Sequence, residues 1–190
     1  MTQGLVVGRF QIVGNQHVDM LEQIVDYHRC VQPLSLLNIG IGIANQVDGR
    51  NPFSGTECLE MIRPVADEYA GIIGVPTRYR LIPDINDSHH YAAHVAEHFA
   101  FADEPVVVFG ENEYLLGCFR NKPQYSVVKV KERLGQHSTD LRKLYGAGAD
   151  ISGRIPESVQ AFLERDGTRK RVAFLLSYDQ SREAEIACPS

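Results

Sequence analysis

Short apolar runs alternate with amphipathic stretches along most of the chain, and this alternation limits the fold more than any other feature. Gly4 to Val7, Leu36 to Ile43, Thr77 to Ile82, Glu104 to Phe109 and Gln124 to Val130 read as strands. The third stops at Pro83, and the fourth holds a Val-Val-Val run. Between them, Val18, Leu21, Val25 and His28 follow helical spacing, with Met20 and Ile24 beside them. Leu59, Ile62, Ala66 and Tyr69 share one face of a helix within Phe53 to Tyr69, and Tyr91 to Phe101 reads as another helix. Strands that look buried on both faces and alternate with helices build βαβ units. The expected class is therefore α/β with a mostly parallel sheet, whose ligands bind beyond the carboxyl ends of the strands. From about Thr139 the pattern is helical again: Asp140 to Tyr145, a Gly-rich turn, then Pro156 to Arg165. We expect one domain over residues 1–168 and an extension of unknown role over 169–190. The apolar burst Val172 to Leu176 in that extension suits an added strand.

Length and composition bound the setting. The 190 residues suffice for one domain with its own core. The 44% hydrophobic and 23% charged fractions exclude disorder, collagen and coiled coil. A formal net charge of -5 weighs against a grip on long nucleic acid. No apolar run reaches the roughly 18 residues that a membrane span needs. The opening MTQGLVVGRFQ has no basic n-region, so no signal peptide and a cytoplasmic setting are expected. Cys30, Cys58, Cys118 and Cys188 are scattered without a CxxC pair, as reduced thiols are.

Several short segments carry chemistry. Gly8-Arg9-Phe10-Gln11 ends the first strand, and Gly14-Asn15-Gln16-His17 leads into a helix. A glycine there lets the backbone approach a phosphate, and the helix start offers free N–H groups and a positive dipole end. Arg9 and His17 could add charge and donors; a plain surface loop fits the same residues. In Asn51-Pro52-Phe53, Asn51 suits an N-cap and Pro52 a first helical turn, with Arg50 just outside. Asp84 follows the third strand in Pro83-Asp84-Ile85-Asn86-Asp87, ahead of His89, His90, Tyr91 and His94. The i,i+4 pair His90/His94 has zinc spacing. With Tyr-Ala-Ala between them and no glutamate, a polar ligand-facing loop is the better reading, and no metal ligands are assigned. His98 reads as a partly buried polar residue. Ser138-Thr139-Asp140 suits another helix start, and an arginine as early as Arg142 sits badly on the dipole unless an anion or Asp140 offsets it.

Taken in order, these segments resemble the archaeal-type nicotinamide-mononucleotide adenylyltransferases of the nucleotidyltransferase superfamily. That family's G-R-F-Q-P-x-H-x-G-H is similar to residues Gly8 to His17, its N-P-F-T-A-G-E-R to Asn51 to Cys58, its P-D-I and W-V-x-H-V to Pro83 to Ile85 and Tyr91 to Val95, and its I-S-x-T-x-I-R to Gln136 to Arg142. The resemblance spans about residues 4–165.

It implies a Rossmann-like doubly wound sheet and transfer of AMP from ATP to nicotinamide mononucleotide, giving NAD and pyrophosphate, with Mg²⁺ bridging triphosphate oxygens. It implies that His17 contacts the triphosphate, that Arg9 and Arg142 hold phosphates, and that Asp84 and Tyr91 lie near the nicotinamide ligand, Tyr91 in place of a Trp. Gly8, Phe10, Gln11, Gln16, Arg50, Asn51, Pro52, Phe53, Ser138 and Thr139 complete the expected substrate-binding set. Relatives are often oligomers, so a homo-oligomer is a further expectation. The chain departs from the motifs at Gly14, Gln16 and Cys58, where the family has His, Gly and Arg. One lost donor to developing charge slows a reaction about a hundredfold or more. A nucleotide-binding protein without catalysis therefore stays open beside the active enzyme, as does a sister transferase with another phosphorylated acceptor.

Overall fold

A computed structural model describes residues 1–101 and 104–187, with side chains through residue 179. The apolar runs form five parallel strands: β1 (Thr2–Gly8), β2 (Leu34–Gly42), β3 (Thr77–Ile82), β4 (Val106–Gly110) and β5 (Tyr125–Lys129), in the order β3-β2-β1-β4-β5. Consecutive strands are joined by α1 (Asn15–Cys30), α2 (Gly55–Ile72), α3 (Tyr91–Phe99) and α4 (Glu113–Gly117). After β5 come α5 (Ser138–Gly146), a 3-10 turn (Ser152–Arg154), α6 (Glu157–Leu163) and α7 (Thr168–Ala187).

Side chains alternate across a strand, so a central strand must feed a core on each face. Leu5 and Val7 of β1, with Val106 and Val108 of β4, pack against Val95 and Phe99 of α3 and Leu116 of α4. Val6, Val107 and Phe109 point the other way, onto Leu21 and Ile24 of α1 and Met61 and Ile62 of α2. Both faces are thus covered and the sheet is doubly wound, as expected.

The structure corrects some expectations. The burst Val172 to Leu176 is helical, not an added strand. Val172 is buried and Leu176 packs on the same core, whereas Phe174 between them is 65% exposed. In a strand all three would share a face. The helix after β2 does not open at Asn51 and Pro52 but at Gly55, capped by Ser54. Ser54 Oγ accepts from the Glu57 N–H at 3.3 Å, and the Glu57 carboxylate accepts from the Ser54 N–H at 2.9 Å, a reciprocal pairing that satisfies two otherwise orphaned donors. Asn51 instead donates Nδ2 to Asp48 Oδ1 at 3.0 Å and closes the preceding loop. Helix α4 was not anticipated. Cys30, Cys58 and Cys118 are free thiols, and Cys188 lies outside the described residues. No described helix is long and apolar enough to cross a membrane.

Candidate active site

Strand order reverses between β1 and β4, and a cleft opens there at the carboxyl ends of the strands. This is where doubly wound sheets bind ligands. The cleft has a volume of about 630 Å³ and brings together Gly8, Arg9, Phe10, Gln11, Gln16 and His17 from the β1–α1 connection, Asp84 and Tyr91 from the β3–α3 connection, and Ser138, Thr139 and Arg142 from α5. Arg50, Asn51, Pro52 and Phe53 do not line it. Asn51 and Phe53 are buried beneath it, and Arg50 is exposed.

The β1–α1 connection is shaped by one aromatic ring. Phe10 is buried and holds a left-handed backbone, φ 48°, a region that non-glycine residues seldom adopt. Its ring folds back so far that a Cβ on Gly8 would lie 2.9 Å from it, so a larger residue at position 8 would have to displace the ring. The same ring packs on His17, with centroids 5.3 Å apart. His17 Nδ1 accepts from the Gly14 N–H at 3.1 Å, which places the imidazole proton on Nε2. Burial lowers the His17 pKa to about 4, against a smaller upward pull from Gly14. The ring is therefore a neutral donor at neutral pH.

Arg142 faces the same spot from α5. It is only 5% exposed, and it donates to a neutral group, Thr139 Oγ1, at 3.1 Å. Burial, then the charge of Arg9, pulls its pKa down to about 10. Among the described residues neither Arg9 nor Arg142 forms an ion pair with a carboxylate. Two guanidiniums near one another, one of them buried, beside the N-terminus of a long helix with no acidic residue in its first turn, make a site short of an anion.

The far end of the cleft has the opposite sign. Asp84 and Asp87 line it, together with Tyr91, while Glu111 lines the cleft from the β4 side, near His137 and Asp19. Burial, then the nearby Asp84 and Cys118, pushes the Tyr91 phenol up to about 12. The neighbouring histidines are used structurally. His90 Nδ1 lies 2.6 Å from Asp87, His94 Nε2 lies 3.0 Å from the Pro83 carbonyl, and His98 Nδ1 lies 2.9 Å from the His94 carbonyl. Among the described residues no three His, Cys, Asp or Glu side chains converge as metal ligands.

The sequence reading missed Glu111, Asn112 and Tyr114, which follow β4, and Gln136, which precedes α5; all line the cleft. The signal for the first group was present: Gly110 ends the strand next to β1, at the reversal point. Ile43 and Asn86 also line the cleft with left-handed backbones, φ 57° and 51°, so each of β1, β2 and β3 is followed by such a residue at the site. For Ile43, which is β-branched, this is a strained conformation.

The Asn51–Phe53 segment meets the site from below. Gln11 Nε2 donates to the Phe53 carbonyl at 2.9 Å, and the Phe53 N–H donates to Gln11 Oε1 at 3.0 Å. Cys58 is fully buried, its thiol pushed up to about 12 by burial first and then by Glu57. It supplies no charge where the resembling motif has Arg. A cation arrives from α7 instead: Arg171 bonds Glu57 at 2.6 Å, and its guanidinium lies 5.6 Å from the Phe53 ring centroid.

No protein-family model matches the chain. A nicotinamide-nucleotide adenylyltransferase of Thermococcus onnurineus is 30% identical over 191 residues, covering 98% of this chain and 95% of that protein. The one of Thermococcus kodakarensis is 31% identical with the same coverage, and that of Archaeoglobus fulgidus is 29% identical over 86% of this chain and 92% of its own. Among solved structures, a Vibrio parahaemolyticus protein described as a nicotinate-nucleotide adenylyltransferase superposes with a TM-score of 0.55 over 89% of this chain and 95% of that one. Its identity is 15%, so the likeness speaks for the fold.

Proposed function

Since the chain belongs to the nicotinamide-nucleotide adenylyltransferase family, we infer that it transfers AMP from ATP to nicotinamide mononucleotide and releases NAD and pyrophosphate. The observation that carries this reading at the level of the site is the pair Arg9 and Arg142 beside the α1 N-terminus at the cleft between β1 and β4, cationic groups without a carboxylate partner among the described residues.

In this reading an oxygen of the mononucleotide's phosphate attacks the α-phosphorus of ATP. The new O–P bond forms as the bond from the α-phosphorus to the bridging oxygen breaks, and pyrophosphate leaves with that oxygen and its electron pair. The attacking phosphate is already ionised near neutral pH, so no side chain need remove a proton. The protein's part is to align the reactants and stabilise charge. Arg142 and Arg9 hold the phosphates, and His17 donates from Nε2, a role suited to a ring kept neutral by burial. Mg²⁺ carried in with ATP would supply further neutralising charge to the triphosphate beside Arg9 and Arg142. No cage of three ligating side chains for it stands among the described residues.

The cleft's two signs fit the acceptor. Its phosphate would face the arginines, and its pyridinium ring, which is cationic, would face Tyr91, Asp84 and Asp87. A carboxylate on that ring in place of the carboxamide would meet like charge, so nicotinamide mononucleotide is the preferred acceptor over the nicotinate form. The free thiols support a reducing, cytoplasmic setting.

Purified chain given ATP, Mg²⁺ and nicotinamide mononucleotide is expected to form NAD and pyrophosphate in equal amounts. Absence of NAD at high enzyme concentration would overturn the assignment. Turnover with only a non-nicotinamide acceptor would move the chain to a sister activity.

A further inference from the structure

We propose that Gln136, held by the Arg154 carbonyl, donates a hydrogen bond to the triphosphate from the place where a side chain on residue 14 would stand. The proposal rests on the nucleotide-binding part of the function inferred above. It starts from Gly14. Its backbone, φ -113° and ψ -179°, is open to any residue, so the glycine is dictated by space. A Cβ on it would lie 2.4 Å from Gln16 Oε1, 2.5 Å from Leu141 Cδ1 and 2.7 Å from Gln136 Nε2. Two carboxamides therefore converge where a side chain would begin.

Their hydrogen bonds assign them different parts. Gln16 is 7% exposed; its Nε2 donates to Ser138 Oγ at 3.0 Å, and Ser138 Oγ donates on to the Ile12 carbonyl at 3.1 Å. This chain ties α1 to the start of α5 and fixes the Gln16 amide. Among the described residues its Oε1 is buried without a partner, an arrangement that packing alone does not favour. The Gln16 amide nitrogen is thus committed to the tie between α1 and α5. Gln136 is half-buried and lines the cleft. Its Nε2 donates to the Arg154 carbonyl at 2.8 Å. A carboxamide nitrogen carries two N–H groups, so one remains to face the cleft beside His17 and the α1 N-terminus. The lost motif side chain at position 14 is thereby replaced by a neutral donor from another segment, with Arg154 of the 3-10 turn holding it in direction.

The test uses the full chain with Gln136→Ala, Gln136→Glu and, as a control, Asn15→Ala. Asn15 Nδ2 also reaches this 3-10 turn, through the Gly153 carbonyl at 3.2 Å, but Asn15 is not part of the cleft wall. Gln136→Ala is expected to lower kcat about 10- to 100-fold while the KM for nicotinamide mononucleotide stays within about twofold. Gln136→Glu should fall further, because it faces phosphate with a carboxylate, and should weaken MgATP binding by about tenfold or more in calorimetry. Asn15→Ala should keep kcat within about twofold. Parent-like kcat and MgATP affinity in both Gln136 variants would overturn the proposal, as would an equal loss in Asn15→Ala, which would assign the effect to a loosened turn. A parent that binds MgATP but forms no NAD would sink the transfer reaction and leave the calorimetric arm to decide. A parent that binds no MgATP would overturn both.

Discussion

Arg142 carries a charge at 5% exposure with no carboxylate paired to it among the described residues. Such a group burdens the ligand-free protein, and the burden makes sense if an anion neutralises it in use. Arg142→Met is expected to raise the stability of the ligand-free chain by about 1–3 kcal/mol while abolishing measurable MgATP binding. Denaturant melts and calorimetry on the same preparation check both halves; a destabilised variant that still binds MgATP would contradict the assignment. His17→Ala, which removes the Nε2–H donor, is expected to lower kcat about a hundredfold or more, read in the NAD-forming assay. At this scale spacing alone left Arg9, His17 and Arg142 as candidates at a strand end and two helix starts, the motif resemblance singled them out, and the fold brings them to one cleft. Gln136 was not, since its relation to Gly14 spans 122 positions of chain and exists only after folding. The left-handed backbones of Phe10 and Ile43 were hidden for a similar reason: nothing in a Phe or an Ile announces a positive φ.

The elements are positioned by a small number of polar ties. The Gln11 carboxamide brackets both backbone groups of Phe53 and so locks the β1–α1 connection to the segment before α2. Gln11→Leu leaves that buried N–H without its acceptor and weakens the carbonyl's pairing. It is expected to cost about 2–4 kcal/mol, which for a chain of this size lowers Tm by roughly 5–12 °C, seen in a thermal melt. An unchanged Tm would show that the bracket is incidental. The five strands and the helices α1, α2, α3, α5 and α6 followed from periodicity, as the agreement over Thr77 to Ile82 illustrates. The ends followed from caps, and there the reading slipped. Asn51 and Ser54 are both plausible caps by residue type, and only Ser54 has a Glu three residues on. In the last helix, Val172 and Leu176 fit one face, but a five-residue apolar burst also fits a strand, and length could not arbitrate.

At the scale of the molecule, the reversal of strand order between β1 and β4 sets where a ligand goes, and burial at that point sets how the fold responds to acid. His17 has a folded pKa near 4 against 6.5 for the free side chain. The unfolded chain therefore takes up a proton first. The stability tied to the neutral ring is complete above about pH 6.5 and is lost as pH falls from there toward 4. The loss is at most about 3 kcal/mol. Denaturant melts between pH 7 and 5 should show it, and His17→Gln should flatten the slope; an equal slope in the variant would mean that other groups cause it. Two-sided burial made the parallel sheet legible in sequence. The strand order, and the meeting of Asp84 and Glu111 on one cleft, came only with the fold, because the two lie on different sides of β1.

The most direct measurement is a crystal structure of the chain with Mg²⁺ and a non-hydrolysable ATP analogue. The triphosphate is expected between Arg9 and Arg142 at the N-terminus of α1, with His17 Nε2 and Gln136 Nε2 within hydrogen-bond distance of its oxygens. A triphosphate bound elsewhere, with Arg142 still facing an empty cleft, would contradict it.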